Sequence, residues 1–175
     1  MAAVIHSFRG VHPRLAADVF VADLAAVIGD VVIGCGSSIW YGTVIRADVE
    51  PIRVGDQTSI QDNSVIHVTH GVSGTSVGDR VTVGHNVILH ACTVEDDCII
   101  GMGSIILDRA RIGRGSIVGA GALVTPGTDI PPGSMVMGSP ARVKRTLTDE
   151  ERARIASSAA HYVDLARVYR DAAAP

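Results

Sequence analysis

The sequence is poor in aromatic residues, in long apolar runs and in net charge. Aromatic side chains make up 3% of the 175 residues, which suits an interior of small branched side chains rather than rings. The net charge is −3, from 15 basic and 18 acidic residues that are mixed along the chain. We therefore expect neither nucleic acid nor an anionic membrane surface as a partner.

Further absences bear on location. No stretch approaches the ~18 uninterrupted apolar residues of a spanning helix, and the N-terminus lacks the charged start and long apolar run of a signal peptide. The three cysteines, Cys35, Cys92 and Cys98, show no C-x-x-C spacing. We interpret them as buried free thiols in a reducing compartment, so the expected location is cytoplasmic.

The sequence does have a branched aliphatic residue at almost every sixth position. Glycine often follows it, as in Ile33-Gly34 and Val83-Gly84. Neither the helical period of 3.6 nor the strand period of 2 produces this pattern, whereas a hexapeptide period is typical of a parallel β-helix. The repeat positions are Leu15, Val21, Val27, Ile33, Ile39, Ile45, Val54, Ile60, Ile66, Val77, Val83, Leu89, Val94, Ile100, Ile106, Ile112, Val118, Val124, Ile130 and Val136.

These positions predict an all-β solenoid of six to seven triangular coils, with three short strands in each coil and ~4.8 Å between coils. The register is longer than six residues between Ile45 and Val54 and between Ile66 and Val77, and shorter between Leu89 and Val94. We expect the two insertions, residues 48–53 and 71–76, to project as loops from one corner of the prism.

The repeat ends at Gly138-Ser139-Pro140. Thr148 precedes Glu151 by three residues, the spacing of a capping box that begins a helix. One apolar helix face follows at Ile155, Ala159, Tyr162, Ala166 and Tyr169. We expect a β-helix domain at 1–140, then a connector and a C-terminal α-helix at 141–175 packed on the same domain.

The repeat also predicts where three histidines point. If the faces of the prism are numbered 1 to 3 from Leu15, then Ile45, Ile66 and Leu89 fall on face 3 in consecutive coils. The residue after each points outward, so Arg46, His67 and His90 form one outward row. His67 and His90 are one coil plus the loop insertion apart, and we expect their imidazoles to be stacked closely enough to share one metal ion.

His85 falls on face 2, two residues after Val83, and one subunit is not expected to bring it to the other two histidines. A neighbouring subunit can do so if its face 2 packs on face 3, and three such contacts close into a ring. Asp62 has the equivalent position one coil earlier, so this packing brings it near Arg46 of the neighbour and brings Gln61 near the metal. We interpret His6, His12, His70 and His161 as structural or exposed.

Three neutral imidazoles with an open fourth position describe a catalytic zinc site. Water bound there has a pKa of about 7, so a hydroxide that attacks an electrophilic carbon forms at neutral pH. Imidazole also binds iron and cobalt, so the expected cofactor is a divalent metal, zinc first and iron or cobalt as alternatives.

Three segments resemble the signature segments of the gamma-class carbonic anhydrase family, whose zinc chemistry is the source of the pKa value quoted above. They are Ile45 to Asp48, Gln61 to His67 and Val83 to His90, and the resemblance extends over nearly the whole chain. It implies a homotrimer of left-handed β-helices with a metal at each subunit interface. His67 and His90 are then ligands from one subunit and His85 from the next.

The resemblance also implies roles around the metal. Arg46 and Asp48 resemble interface ion-pair residues, with Asp62 as the partner of Arg46 across the interface. Gln61 resembles the residue that hydrogen-bonds metal-bound water or bicarbonate, and Tyr162 resembles a helix tyrosine near the site. The implied activity is that of a lyase, the reversible hydration of carbon dioxide to bicarbonate by metal-bound hydroxide.

The chain departs from the family pattern where the proton leaves. The loop from His70 to Ser76 contains no carboxylate, and Val49 is apolar, whereas the best-characterised members carry acidic residues there. Turnover then depends on another proton acceptor, such as His70 or buffer. Two alternatives therefore stay open: a hexapeptide acyltransferase or acyl-CoA thioesterase with a histidine base, and a non-catalytic metal-binding scaffold subunit.

Overall fold

The structure, a computed structural model, describes residues 2–173. It is a parallel β-solenoid of about seven turns followed by one helix, which confirms the predicted class of a left-handed β-helix with a C-terminal helix. Residues 1, 174 and 175, which belong to the predicted segments 1–140 and 141–175, lie outside the described residues. The division of the chain at residue 140 stays a prediction. The elements are β1 (Val4–His6), β2 (Arg14–Leu15), β3 (Phe20–Val21), β4 (Ala26–Ile33), β5 (Ser38–Ile39), β6 (Val44–Val54), β7 (Ser59–Ile60), β8 (Val65–His67), β9 (Thr75–Val77), β10 (Thr82–Val83), β11 (Ile88–His90), β12 (Thr93–Val94), β13 (Ile99–Ile100), β14 (Ile105–Ile106), β15 (Arg111–Ile112), β16 (Ile117–Val118), β17 (Leu123–Val124), β18 (Asp129–Ile130), β19 (Ser134–Gly138), β20 (Ala141–Thr146) and α1 (Asp149–Ala173).

The predicted repeat positions form three columns that run along the axis of the prism. On face 3, for example, Ile45 pairs with Ile66, Ile66 with Leu89 and Leu89 with Ile106. The same pairing along faces 1 and 2 confirms the register of all the repeat positions. These side chains make up most of one continuous core, and each fully buried one contributes about 1.5–3 kcal/mol of hydrophobic free energy.

The two insertions behave differently from the prediction. Residues 48–53 do not project as a loop, because β6 continues through them and Ile52 is fully buried. The pairing with β4 shifts between Gly29–Ala47 and Val31–Ile52, so the extra residues form a bulge within the sheet. The second insertion does form a turn, closed by a bridge between Thr69 and Ser73, but strand β9 resumes at Thr75.

The segment after Pro140 forms a strand that the sequence pattern did not reveal. Strand β20 runs antiparallel to β19 and covers the edge of the last face 2 coil. Its residues from Arg142 to Arg145 are exposed, as expected for a charged edge strand that resists further pairing.

Helix α1 begins with the predicted capping box. The Thr148 amide donates to Glu151 Oε2 at 2.9 Å, and the Glu151 amide donates to Thr148 Oγ1 at 3.3 Å. Ile155, Ala159 and Ala166 are buried against the solenoid. The helix aromatic residues pack on face 2, in a cluster of Phe20, Trp40, Tyr41, Tyr162 and Tyr169. Within residues 2–173 we find no helix with the length and apolarity needed to span a bilayer.

The cysteines are free, but only two of them are buried as predicted. Burial raises the pKa of the Cys92 and Cys98 thiols to about 12. Cys35 is exposed because it lies in the turn that follows β4, outside the triangular core. The prediction of a buried thiol was therefore wrong for this residue.

Candidate metal centre

His67 and His90 lie next to each other on face 3. They are Cα partners in the parallel pairing of β8 with β11, directly after the inward residues Ile66 and Leu89. His67 Nδ1 is 3.1 Å from His90 Nε2, and both side chains are partly exposed. The structure thus brings these two predicted ligands together within one chain.

A carboxylate holds the outer nitrogen of each imidazole. Asp48 Oδ1 is 3.1 Å from His67 Nε2, and Asp108 Oδ1 is 2.7 Å from His90 Nδ1. Hydrogen bonds from His90 and Thr69 lower the pKa of Asp108. Burial by itself raises the pKa of Asp48, but hydrogen bonds from His67 and Arg46 outweigh it, so the net shift is downward.

This arrangement suits a cation. A carboxylate only accepts hydrogen bonds, so these contacts favour ring hydrogens on His67 Nε2 and His90 Nδ1. The other two nitrogens then direct lone pairs towards each other, an arrangement that is repulsive without a proton or a metal cation between them. Two nitrogens bound to a tetrahedral zinc at 2.0–2.1 Å are about 3.3 Å apart, close to the separation found here.

One chain supplies two of the three predicted ligands. His85 lies on face 2 after β10, where its Nδ1 is 2.8 Å from Asp62 Oδ2. Among residues 2–173, no three His, Cys, Asp or Glu side chains are arranged to hold one metal ion. The predicted pairing of Asp62 with Arg46 joins two subunits and stays a prediction, since within the chain Arg46 is ion-paired with Asp48.

Gln61 and Tyr162 meet on face 2 beside His85. The Gln61 residue is 5% exposed, and its side chain lies close enough to the Tyr162 hydroxyl to act on its pKa. Burial and the negative charge of Asp62 raise the pKa of the Tyr162 hydroxyl. Together with His85, these side chains line one end of a groove of about 720 Å³ between face 2 and α1.

The surface around the two stacked histidines is apolar. The residue before each inward position of face 3 points outward, and Val65 and Ile88 are each 37% exposed in the isolated chain. The same outward column is occupied in the other coils by Val44, Ile105 and Leu123. A continuous apolar ridge therefore borders the histidines.

Three residues near this site escaped the sequence analysis. Asp108 follows His90 by one full coil, and Thr69 lies two residues after His67, so the coil length could have pointed to both. Glu50 accepts a hydrogen bond from the Gly71 amide at 3.0 Å, so a carboxylate from the β6 bulge lies against the turn that carries His70. The spacing of the repeat does not predict this contact, because the contact depends on the shape of the bulge.

Comparisons with known proteins match this chain and its fold. Residues 91–126 match the hexapeptide family described as Bacterial transferase hexapeptide (six repeats). A Geobacillus kaustophilus protein named Carbonic anhydrase is 47% identical over 95% of this chain and 91% of its own length. The Arabidopsis thaliana protein named Gamma carbonic anhydrase 2, mitochondrial, is 50% identical over 90% of this chain.

The chain spans 58% of the length of that Arabidopsis protein. Among solved structures, a Bacillus cereus protein described as a candidate acetyltransferase superposes with a TM-score of 0.96. It is 43% identical, and the match covers 98% of this chain and 99% of that protein. The superposition with that protein thus extends over nearly the whole of both chains.

Proposed function

Because the chain belongs to the gamma carbonic anhydrase family of hexapeptide-repeat proteins, we propose that it catalyses the reversible hydration of carbon dioxide to bicarbonate with a divalent metal. The observation that carries this proposal is the facing pair of His67 Nδ1 and His90 Nε2 at 3.1 Å, each imidazole held by a carboxylate. A bound zinc ion lowers the pKa of its water to about 7, the value known for carbonic anhydrases, and thereby supplies a nucleophile at neutral pH.

The metal is held by His67 and His90 of one chain and His85 of a neighbouring chain in a homotrimer. In support, face 3 carries an exposed apolar ridge next to the two histidines, where a second copy of the chain can pack. His85 is accessible on face 2 and has its Nδ1 fixed by Asp62, which leaves Nε2 to act as a ligand. We propose zinc as the resident ion; cobalt and iron suit the same ligands.

The remaining residues hold the substrate and the ligands. The Gln61 amide and the Tyr162 hydroxyl, which lie close together in the groove beside His85, orient carbon dioxide and bicarbonate. Asp48 fixes the His67 ring, and Arg46 neutralises the charge of Asp48 within the chain. In the trimer, Arg46 also faces Asp62 of the neighbour. We propose a cytoplasmic location, supported by the three free thiols.

Stopped-flow hydration of carbon dioxide tests this proposal. The protein is loaded with zinc, cobalt or iron, and the bound metal and the native mass are measured on the same sample. We expect about one metal per chain, a trimer and a rate well above that of buffer. His67→Ala removes the rate, and His12→Ala, a matched change at an exposed histidine, leaves it intact. No rate above buffer with any of the three metals contradicts the proposal.

A second candidate is acyl transfer or acyl-CoA hydrolysis. It is favoured by the groove along α1, which is lined by Gln61 and His85, and by the description of the Bacillus cereus relative. Turnover of acetyl-CoA that survives a chelator supports this candidate. Stoichiometric metal without turnover of either substrate supports instead a non-catalytic scaffold subunit.

A further inference from the structure

Asp108 is a charged residue in an otherwise apolar column. It lies two residues after the inward Ile106 of face 3, at the corner of the coil. The equivalent residues of the three preceding coils, Ala47, Val68 and Ala91, are all apolar and buried. The geometry of a hexapeptide coil therefore does not require a carboxylate here.

Both oxygens of Asp108 are used. Oδ1 lies 2.7 Å from His90 Nδ1, and Oδ2 accepts a hydrogen bond from the Thr69 hydroxyl at 2.8 Å. Thr69 lies in the turn that follows His67, so this chain of hydrogen bonds connects three successive coils. The hydrogen bond from Thr69 to the second oxygen restrains the carboxylate in the orientation that faces His90.

Asp108 also differs from Asp48, the carboxylate on the other histidine. Asp48 is ion-paired with Arg46, which compensates its charge. Within residues 2–173, Asp108 has no ion pair with Lys or Arg, and its partners are His90 and Thr69. Its charge therefore acts on His90 without a nearby counter-charge. A carboxylate on the outer nitrogen of a ligating histidine fixes the tautomer and makes the inner nitrogen a stronger ligand.

We propose that Asp108, held by Thr69, is a positioning residue that keeps His90 in the Nδ1–H tautomer and directs its Nε2 towards His67. This inference rests on the proposed metal function only for its effect on metal affinity. The tautomer of His90 is a property of the metal-free chain and can be measured by itself.

Two measurements on the intact protein test the proposed role of Asp108 and Thr69. Nitrogen-15 chemical shifts of the imidazole ring report which nitrogen of His90 carries the hydrogen in the metal-free protein. Competition with a chelator reports the affinity for zinc(II) and cobalt(II). The variants are Asp108→Ala, Asp108→Asn and Thr69→Val, with Asp129→Asn on face 1 as a control at an exposed carboxylate.

In the wild type we expect the Nδ1–H tautomer. Asp108→Ala loses this preference and weakens metal binding by ~10–100-fold, the usual cost of losing an outer partner of a ligand. Asp108→Asn retains an oxygen that accepts the Nδ1 hydrogen, so it keeps the tautomer and loses less affinity. Thr69→Val has a smaller effect in the same direction, and Asp129→Asn has none.

The proposal is overturned if wild-type His90 carries its hydrogen on Nε2, or if Asp108→Ala binds metal like the wild type. If Asp108→Ala does not fold, Asp108→Asn and Thr69→Val decide, and wild-type affinity in both overturns the role of the pair. Failure of the proposed function has a different signature, since a wild type that binds no divalent metal still yields the tautomer of His90.

Discussion

Faces 1 and 3 of the prism have the same interior and different exteriors. Their inward columns are both made of Val, Ile and Leu and are buried in one core. On face 1 the outward column is polar apart from Val32, with Arg14, Arg53, Ser76, Thr93, Arg111 and Asp129. On face 3 the outward residues include the apolar ridge and, beside it, Arg46 and the two stacked histidines.

This difference separates folding from function. The inward residues form one buried core on both faces, whereas the outward residues differ between them. Face 1 uses them for exposed ion pairs, such as Arg111 with Asp129 at 3.0 Å, which contribute little to stability. Face 3 carries there the two stacked histidines, which we propose as ligands, and the apolar ridge, which we propose as the subunit contact. The predictions below test whether the two faces differ in this way.

The largest effect is expected from a charge on the apolar ridge. Ile88→Asp and Thr93→Asp change residues in equivalent outward positions on faces 3 and 1, each directly before an inward residue. Because a buried unpaired carboxylate is strongly unfavourable, Ile88→Asp should dissociate the trimer into monomers and abolish metal binding. Thr93→Asp should leave both intact. Sedimentation velocity measures the difference, and a trimeric Ile88→Asp protein contradicts the assignment of face 3 as the interface.

The next effect concerns the histidine that does not lie on face 3. His85→Ala should retain the trimer. Its metal affinity should fall by more than the ~10–100-fold expected when a hydrogen-bond partner of a ligand is removed, because a direct ligand is lost. Metal analysis of the purified protein, together with native mass, measures both quantities. His12→Ala is the control. A variant that keeps its metal would show that face 2 does not contribute a ligand.

The inward columns should respond alike on both faces. Leu89→Ala on face 3 and Ile112→Ala on face 1 each leave a cavity in the core, and each should lower the free energy of unfolding by about 2–5 kcal/mol. Thr93→Ala, an outward change, serves as the reference. Denaturant unfolding of the three variants measures their free energies of unfolding. A large difference between the losses for Leu89→Ala and Ile112→Ala would mean that the inward columns of the two faces do not contribute equally to stability.

The smallest effect lies at the start of α1, away from both faces. Thr148→Ala removes the capping hydroxyl and should lower the free energy of unfolding by about 1 kcal/mol, measured by thermal or denaturant unfolding.

Arg145 and the Thr148 amide lower the pKa of Glu151 from 4.5 to about 2. Because the folded-state pKa is the lower one, Glu151 stabilises the fold above pH 4.5, and this contribution is lost as the pH falls towards 2. Glu151→Gln should therefore flatten the acid limb of the stability curve, and an unchanged limb contradicts this.

Much of the candidate site was predictable because its residues follow the repeat. A side chain in a strand points inward or outward according to its distance from the inward residue, so His67 and His90 could be placed together from spacing alone. The capping box of α1 and the apolar face of the helix were equally readable, since both depend on neighbouring residues. The exposed Cys35, the continuous strand β6 and strand β20 were not, because each depends on how a turn or a bulge is accommodated by the sheet.

The sequence by itself determined the coil, the three columns and the pairing of the two histidines, since these follow from local periodicity. Only the tertiary structure decided which groups hold those histidines. Asp108 reaches His90 from the next coil, Asp48 reaches His67 from a bulge, and Tyr162 reaches Gln61 from a helix far along the chain. Such contacts depend on the stacking of coils and the docking of α1, which bring distant residues to within hydrogen-bond distance and leave no period in the sequence.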